Sequence, residues 1–589
     1  MKRISIAIFA MLLASSSAAG QESDSDGSVP TQLNEATVAQ LQSFMAAGSL
    51  TSERLTRYYV ARIRALDQRG PGVNSVIELN PDAFRIARKM DALRRRGVVL
   101  GPLHGIPVLL KDNIDTGDKM QTSAGSFALV GSPAPRDSTV AAKLRAGGAV
   151  ILGKTNLSEW ANFRSFGSIS GWSGRGGQTN NPYGIDRNPC GSSSGSGAAA
   201  SANFAAVTFG SETDGSIVCP GNANGVVAIK PTVGITSRAG VVPISHTQDT
   251  IGPLARTVAD AAAALSVIQS RTADGRDPAT GGVPLGWRNR FPRPSLPADY
   301  TKFIDPNGLH GARIGITRVG LAGFTNVTTP PQVTAAIEAA FEALAAAGAT
   351  LIDLDAAGFA FAPAAGEIGV LLYDFKNDVA NYFSSRVGVP VAGGTLQTAI
   401  DFNNANAPIE MPFFNQDIFD LANSLNTSDP NGPQDPGVFG AVSYNAALDL
   451  DQAAGVSLDM ALKQFNLDAI VSATDNPAWA TDLLYGDHFI FGTSSLAAGP
   501  GYPIVQVPAG VVLGVPLGIS FFGTAFSEPT LIRLASGYEA ATQARANNLP
   551  TFVATVPADF IQGTTLQKPA QRAASAVRPV VESKLPHHL

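Results

Sequence analysis

The chain has 589 residues, of which 44% are hydrophobic and 15% are charged, and its formal net charge is −5. This composition excludes a disordered chain and indicates a globular protein with a large core, longer than a usual single domain. The acidic balance gives no electrostatic support for a nucleic-acid partner, and two cysteines are too few for a disulfide framework or a cysteine metal site.

The first twenty residues have the three-part pattern of a secretory signal peptide. Lys2 and Arg3 are followed by an apolar run over 4–14 and then by small residues through Gly20, a run too short to span a membrane stably. We therefore predict a signal peptide over 1–20, an acidic, serine-rich spacer over 21–33, and a secreted or periplasmic protein without a membrane span in its mature form. A retained anchor or a cytosolic N-terminal helix is the alternative.

Helical and strand patterns then alternate along the chain. Ser52 is predicted to cap a helix with apolar residues at i, i+3, i+4 spacing, and a second helix is predicted over about 81–96. Ala-rich helices are predicted at 257–268 and 331–347. Short apolar runs that predict strands are 106–111, 149–154, 205–210, 226–231, 312–317, 350–355, 467–473, 503–510 and 516–523. This alternation favours an α/β architecture with a large sheet covered by helices on both faces.

No fixed-period repeat is visible, and the pattern predicts one domain over 34–548. Two Pro- and Gly-rich segments within it, 272–300 and 425–440, are predicted to be insertions, and the second could act as a lid. The C-terminal residues 549–589 carry no core pattern and are predicted to form a mobile tail.

Several short motifs can be weighed on chemistry. "GAVILGKT" (148–155) has the letters of a phosphate-binding loop, but its middle four residues are themselves a strand. "GSSSG" (191–195) would make Ser193 the nucleophile of an α/β-hydrolase esterase, with His246, His310 or His488 as the base, yet no strand leads into it. No metal-ligand motif occurs, so neither a metal nor a cofactor is predicted.

Two lysines remain as candidates for base chemistry. Lys111 ends the apolar run of "GIPVLLKDNID", and Lys154 ends the next run, in "AVILGKTNLSEW". Burial at the end of a strand lowers the pKa of a lysine and leaves it neutral enough to act as a base. A salt bridge between Lys111 and Asp112, or another buried carboxylate, is the structural alternative.

Five ordered segments together resemble the amidase signature family. The resemblance covers roughly residues 34 to 545, and its peptide amidase branch is the most similar because of "GWSGRGGQTNNPY" (171–183) and "ETDGSIVCP" (212–220). The five segments are "LHGIPVLLKDN", "GKTNLSEWANF", "PCGSSSGSGAAA", "GSETDGSIVCPGNANGVVAIKPTVG" and "HTQDTIGPLARTVADAA".

The resemblance implies a Ser-cisSer-Lys triad. Lys111 matches the base, Ser192 matches the serine after a cis peptide bond, and Ser216, 24 residues further on, matches the nucleophile. It also implies an oxyanion hole of backbone N–H groups in the loop that follows strand 205–210. The residues of that hole are Thr213, Asp214 and Gly215, with the N–H of Ser216.

One position departs from the amidotransferase branch of the family. The tRNA-dependent subunits carry arginine soon after the nucleophile, where this chain has Val218. With the acidic charge, this argues against a tRNA partner.

We therefore expect a secreted amide hydrolase that converts carboxamides, with C-terminal peptide amides as the leading substrate class, to acid and ammonia. N-acyl or aryl amide hydrolysis is the alternative within the family. The esterase that uses Ser193 and an inactive binding protein are the alternatives outside it. The sequence leaves open the oligomeric state and whether Cys190 and Cys219 form a disulfide.

Overall fold

The structure is a computed structural model that describes residues 33–290, 292–319, 329–434 and 443–555. The predicted signal peptide (1–20), the spacer (21–33) except its last residue, and part of the 425–440 segment lie outside the described residues. Most of the predicted tail, from 556 onward, lies outside them too. Within the described ranges, no helix has the length and apolar character that crossing a bilayer requires.

An eleven-stranded mixed sheet forms the centre of the described chain. Its spatial order is β1-β3-β2-β6-β8-β7-β12-β13-β11-β9-β10, and β4 and β5 form a separate small hairpin. The strands are β1 Val76–Leu79, β2 Pro107–Lys111, β3 Val150–Thr155, β4 Trp172–Ser173, β5 Gly177–Gln178, β6 Val207–Glu212, β7 Val227–Lys230, β8 Thr250–Ala255, β9 Arg313–Ile316, β10 Thr350–Asp353, β11 Ala469–Ala473, β12 Ile504–Val512 and β13 Val515–Phe522. β2 runs parallel to β3 and β6, and β9 runs parallel to β10 and β11. The other neighbouring pairs in the sheet are antiparallel.

All nine apolar runs predicted as strands are strands of this sheet. The sequence patterns did not indicate β1 and β8. β8 reads "TIGPLA", and its glycine and proline hide the strand although it pairs with β6 along its whole length. β1 is only four residues long and pairs antiparallel with β3.

The helices pack around the sheet and carry the connections between its strands. They are α1 Val38–Ala46, α2 Ser52–Arg62, α3 Ala83–Arg95, α4 Thr139–Ala146, α5 Ser194–Ser201, α6 Val218–Ala223, α7 Val258–Ile268, α8 Pro331–Ala346, α9 Glu367–Ser384, α10 Leu396–Ala405, α11 Ala407–Glu410, α12 Asp417–Ser424, α13 Tyr444–Gln464, α14 Ser495–Ala498 and α15 Glu528–Thr542. Every residue of β2, β3, β6, β8 and β13 is buried, so both faces of the sheet are covered.

The cap of α2 corrects one sequence prediction. The N-cap is Thr51, whose side chain accepts a hydrogen bond from the backbone N–H of Arg54, and Ser52 is the first helical residue. Ser52 is buried instead, and its hydroxyl donates to the carbonyl of Gly105 at 2.7 Å. Both residues suit a cap, and the tertiary contact decides between them.

A second apolar cluster lies beside the sheet and is built from the helices between 367 and 447. It contains Trp160 and Phe163 together with residues of α9, α10, α12 and α13. Trp160 packs edge-to-face on Phe383 and Phe419. This helical layer supplies one wall of the cleft described below, through Leu371 and Ile418.

The predicted insertion 272–300 packs onto the body in its described part. It contains two short 3₁₀ helices, Pro278–Gly281 and Leu285–Trp287, and Asp277 accepts hydrogen bonds from the guanidinium of Arg238. The predicted tail also begins in contact with the body. Phe552 donates its backbone N–H to the carbonyl of Pro182, and Thr555 bonds the carboxylate of Asp186. The mobility of the tail over 549–589 stays a prediction.

Candidate active site

Three chain segments meet at one edge of the sheet: the end of β2, the stretch before α5, and the loop between β6 and α6. β2 and β6 pair in parallel with Leu110 opposite Phe209, so Lys111 lies beside the last residues of β6. The carboxyl ends of neighbouring parallel strands point to the same edge, which is where the connecting loops place polar groups.

Lys111 is fully buried, and within the described part of the chain its Nζ contacts only uncharged groups. Its Nζ lies 2.7 Å from Ser192 Oγ, 3.0 Å from Ser211 Oγ and 3.2 Å from the carbonyl oxygen of Ser211. Burial lowers the pKa of Lys111 to about 7, against the opposing effect of the more distant Asp249 and Glu212. The salt bridge with Asp112 that the sequence left open does not form, because Asp112 pairs with Arg175 at 3.2 Å.

Ser192 is completely buried and follows a cis peptide bond from Gly191. Its side chain contacts Lys111, and its carbonyl accepts the backbone N–H of Ser158 at 3.1 Å. Gly191 is packed so tightly that a Cβ there would lie 2.2 Å from Ser158 Oγ. Only glycine fits before Ser192.

Ser216 stands at the entrance to α6 in a loop held by carboxylates. Glu212 accepts the backbone N–H groups of Ile217 and Val218 at 2.7 and 3.0 Å. The Thr213 hydroxyl donates to Asp249 at 2.6 Å, and Asp214 accepts from the Ser495 hydroxyl at 2.6 Å. These contacts fix the loop on both sides of Ser216.

Four consecutive backbone N–H groups in this loop, those of residues 213–216, donate to no other group in the part of the chain that the structure describes. Gly215 has a φ of +76°, a conformation that favours glycine. Free and adjacent backbone donors beside a serine hydroxyl form the geometry that receives an anionic oxygen.

A disulfide joins the two serine-bearing segments. Cys190, two residues before Ser192, is bonded to Cys219, three residues after Ser216, with their Cα atoms 5.9 Å apart. The backbone N–H of Ser193 also donates to the carbonyl of Ser216 at 3.1 Å. The structure thus answers the question that the sequence left open about the cysteines.

A cleft of about 490 Å³ opens over this assembly. The loop residues Thr213 to Ser216 form one side of the cleft. An apolar wall faces them, with Phe163, Phe166, Leu371, Ile418, Trp479 and Phe489. The carboxyl groups of Asp214, Asp475 and Asp487 line the cleft as well.

The sequence profile of the Amidase family matches residues 54–532. The chain belongs to the amidase family. A probable amidase of Arabidopsis thaliana is 37% identical over 542 residues, which cover 89% of this chain and 92% of the relative.

Solved structures agree with this assignment. The native peptide amidase from Stenotrophomonas maltophilia is 44% identical with a TM-score of 0.77, over 89% of this chain and 100% of that one. A peptide amidase in complex with the competitive inhibitor chymostatin is 45% identical with a TM-score of 0.77, over 88% and 99% of the two chains. The family membership, the amidase signature fold and the amide-hydrolysing activity that the sequence predicted are confirmed.

The amidase brings all the predicted site residues into this one region: Lys111, Ser192, Thr213, Asp214, Gly215 and Ser216. It does not assemble the esterase alternative. Ser193 is completely buried and donates to the carbonyl of Ser211 at 3.0 Å. His246 lines a different cavity, of about 710 Å³, where it faces Asp378 at 2.9 Å. No histidine lines the cleft among the described residues.

The fold does bring one histidine and two aspartates together, which the sequence patterns did not indicate. Ligand atoms of His246, Asp374 and Asp378 lie within 4.8 Å of one another. Asp374 already accepts from the hydroxyls of Ser245 and Tyr444 at 2.6 and 2.7 Å. Contact with Asp378 and Asp374 raises the pKa of His246 to about 9, so the group serves as an ion pair.

Sequence reasoning missed four residues of the site. Ser211 contacts Lys111, and Asn113 donates to the Ser211 hydroxyl at 2.8 Å. Asp249 holds Thr213, and Asp475 lies at the floor of the cleft. Asn113 and Ser211 stand inside the quoted motifs and could have been found there, whereas nothing in the sequence around Asp475 marks it.

Proposed function

We propose that this amidase hydrolyses carboxamides, above all C-terminal peptide amides, to a carboxylic acid and ammonia, with Ser216 as nucleophile, Ser192 as proton relay and Lys111 as base. The observation that carries the proposal is the buried Lys111. Its Nζ lies 2.7 Å from a serine hydroxyl, and none of the residues that the structure describes places a carboxylate in contact with it. A lysine in that setting serves as a base because its neutral form is favoured.

The contacts of Lys111 suit a neutral amine. The carbonyl of Ser211 can only accept, so it takes one N–H of Lys111. The Ser211 hydroxyl already receives an N–H from Asn113, and it can accept the second N–H of Lys111. The lone pair of Nζ is then left for the Ser192 hydroxyl, which donates to it.

The proposed reaction starts from the contact between Lys111 and Ser192, and the proton transfer from Ser216 to Ser192 is a further step of the proposal. Lys111 takes the proton of Ser192, Ser192 takes the proton of Ser216, and Ser216 Oγ forms a bond to the amide carbon. The tetrahedral oxyanion is received by the free N–H groups of 213–216. The proton then returns through Ser192 to the nitrogen, the C–N bond breaks, and ammonia leaves. Water attacks the acyl-Ser216 ester by the same relay and releases the acid.

The substrate class rests on two supports. The peptide amidase of Stenotrophomonas maltophilia shares 44% identity over 89% of this chain. The cleft volume of about 490 Å³ also suits a substrate well beyond a simple aliphatic amide. N-acyl or aryl amides are the alternative, which the apolar wall of the cleft favours.

The deciding experiment is ammonia release from a small panel of C-terminally amidated peptides, with Ser216→Ala as the control. Release by the wild type and not by the variant supports the reaction, the nucleophile and the substrate class together. Release only from N-acyl or aryl amides would replace the substrate class and keep the mechanism. A covalent adduct on Ser193 instead of Ser216 would contradict the mechanism.

We also propose that the protein is exported and works as a secreted or periplasmic enzyme. The predicted signal peptide over 1–20 supports this, and so does the disulfide between Cys190 and Cys219, since disulfides persist in oxidising compartments. The test is the N-terminal sequence of the protein recovered from its native cell. An N-terminus at Gly20 or Gln21 supports export, and an intact Met1 contradicts it.

A further inference from the structure

A buried carboxyl group at the floor of the cleft has no hydrogen-bond partner among the residues that the structure describes. Asp475 follows β11, is 1% exposed and lines the same cleft as Ser216. Neither of its carboxyl oxygens accepts a hydrogen bond from any residue that the structure describes. Burial of a polar group without a hydrogen bond is costly, and buried carboxyls are nearly always bonded.

The neighbours of Asp475 make that arrangement more costly. Burial and the nearby carboxylates of Asp214 and Glu212 raise the pKa of Asp475 well above its ordinary value. Gly492 packs so closely that a Cβ there would lie 2.4 Å from Asp475 Oδ1. Thus the carboxyl group of Asp475 is repelled by two neighbouring carboxylates and is closely packed against Gly492.

The other two carboxyls that line the cleft are bonded. Asp487 accepts the backbone N–H of Ser170 at 3.1 Å through both of its oxygens. Asp214 accepts from the hydroxyl of Ser495 through Oδ2, while its buried Oδ1 accepts from no residue that the structure describes. Asp475 is therefore the carboxyl group of the cleft whose two oxygens are both left to bond a substrate.

The charges of the cleft say what kind of group would meet Asp475. No Lys, Arg or His side chain lines the cleft within the described ranges, so a carboxylate-bearing substrate would find no cation there. A hydrogen-bond donor would satisfy Asp475, and a cation would also offset the repulsion from Asp214 and Glu212. Ammonia is the whole leaving group of a carboxamide, so a cleft of this size holds the acyl part.

We propose that Asp475 is a specificity-determining residue that accepts a hydrogen bond from a cationic N–H group on the side chain of the acyl part. The enzyme then prefers amides with a cationic side chain to neutral ones, and neutral amides to anionic ones. This inference rests on the proposed function, since it assigns Asp475 to the acyl part of a carboxamide. It also implies that the product carboxylate is repelled from the cleft, since the charged side chains that line it among the described residues are all acidic.

The test compares three N-acetylated amino-acid amides that differ in side-chain charge: lysine amide, norleucine amide and glutamate amide. We expect kcat/KM of the wild type to fall in that order, with lysine amide roughly tenfold to a hundredfold above norleucine amide, the factor expected for a charge-assisted hydrogen bond. Asp475→Asn should remove most of that ratio, because kcat/KM falls much more for lysine amide than for norleucine amide.

Two controls separate recognition from a structural role. Asp487→Asn changes a bonded carboxyl of the same cleft and should keep the ratio of lysine amide to norleucine amide. Because Asp475 has no partner to lose, Asp475→Asn should not lower the melting temperature. An equal loss of kcat/KM on all three amides in Asp475→Asn, or a wild type that prefers glutamate amide, would overturn the proposal.

A binding measurement keeps this inference separate from the catalytic proposal. Calorimetric titration of Ser216→Ala with the same three amides reports recognition without turnover. Tighter binding of lysine amide that disappears in the Ser216→Ala/Asp475→Asn variant supports the role of Asp475, even where the wild type releases no ammonia from these amides. Equal binding of all three amides to Ser216→Ala contradicts that role, whatever the result of the ammonia assay.

Discussion

Two neighbouring strands each carry a completely buried lysine, and only one of these lysines contacts a serine of the candidate site. β2 and β3 pair in parallel, with Leu110 opposite Lys154 and Lys111 opposite Thr155. Burial lowers the pKa of both lysines. Their surroundings differ, however, and the difference supports the proposal that Lys111 is the base and Lys154 a structural cation.

Lys154 is completely buried, and the groups that it contacts do not line the cleft. Its Nζ donates to the carbonyl of Ile114 at 2.8 Å and to the Thr122 hydroxyl at 2.9 Å, and the carboxylates of Asp112 and Asp115 favour its charged form. Lys111 instead contacts the Ser192 hydroxyl, and the segment of Ser192 is joined to that of Ser216 at the cleft. Desolvation alone therefore does not identify a catalytic lysine, and the groups in contact with it do.

The largest expected effect tests Ser216, the proposed nucleophile to which Lys111 is linked through Ser192 and Lys154 is not. Ser216→Ala should lower kcat by roughly three orders of magnitude or more, because no other group takes the place of the nucleophile. Ser193→Ala is the matched control, since Ser193 is buried and bonds the carbonyl of Ser211. Steady-state ammonia release measures both. A similar loss in the two variants would contradict the assignment of Ser216.

The comparison of the lysines themselves comes next. Lys111→Met should lower kcat about 10²–10⁴-fold, the usual contribution of a positioned acid–base group, with partial recovery at high pH. Lys154→Met should act mainly on stability, because it removes one of the cations that offset the burial of Asp112 and Asp115. Activity and urea unfolding of both variants are the measurements. Loss of catalysis without loss of stability in Lys154→Met would remove the distinction.

The pH dependence of kcat/KM gives a smaller and graded effect. Lys111 must be neutral to accept a proton, and burial lowers its pKa to about 7. The rate should therefore fall by about tenfold per pH unit below pH 7 and level off above it. A profile of the wild type between pH 5 and 9 checks this. A rate that stays flat to pH 5 would show that a group other than Lys111 is the base.

The smallest expected effect on rate concerns the disulfide that joins the two serine segments. Replacement of both Cys190 and Cys219 by alanine should lower the free energy of unfolding by about 3–4 kcal/mol, as expected for a bridge that spans 29 residues. The rate should fall by less than about tenfold, since the Ser193–Ser216 backbone hydrogen bond still joins the segments. Urea unfolding and ammonia release measure the two effects. Complete inactivation at full stability would give the disulfide a direct catalytic role.

Much of the fold was readable from local patterns. The apolar runs that became β2, β3, β6 and β7 are short and bounded by turn residues, and burial on both faces makes them continuous. The sequence did not predict β8 because its glycine and proline are unusual in a strand, and its pairing with β6 and β7 decided its conformation. A tertiary contact also decided the cap of α2, which is Thr51 and not the predicted Ser52, because the Ser52 hydroxyl donates to a distant carbonyl.

The sequence by itself determined the residue types of the site and their order, because the motifs around Lys111, Ser192 and Ser216 are contiguous in the chain. Only the tertiary structure decided which groups meet. It joined Cys190 to Cys219, and among the described residues it left Lys111 without a carboxylate in contact and Asp475 without a hydrogen-bond partner in the cleft. The physical reason is that desolvation, pairing and close packing depend on atoms that lie far apart along the chain, and no local pattern records them.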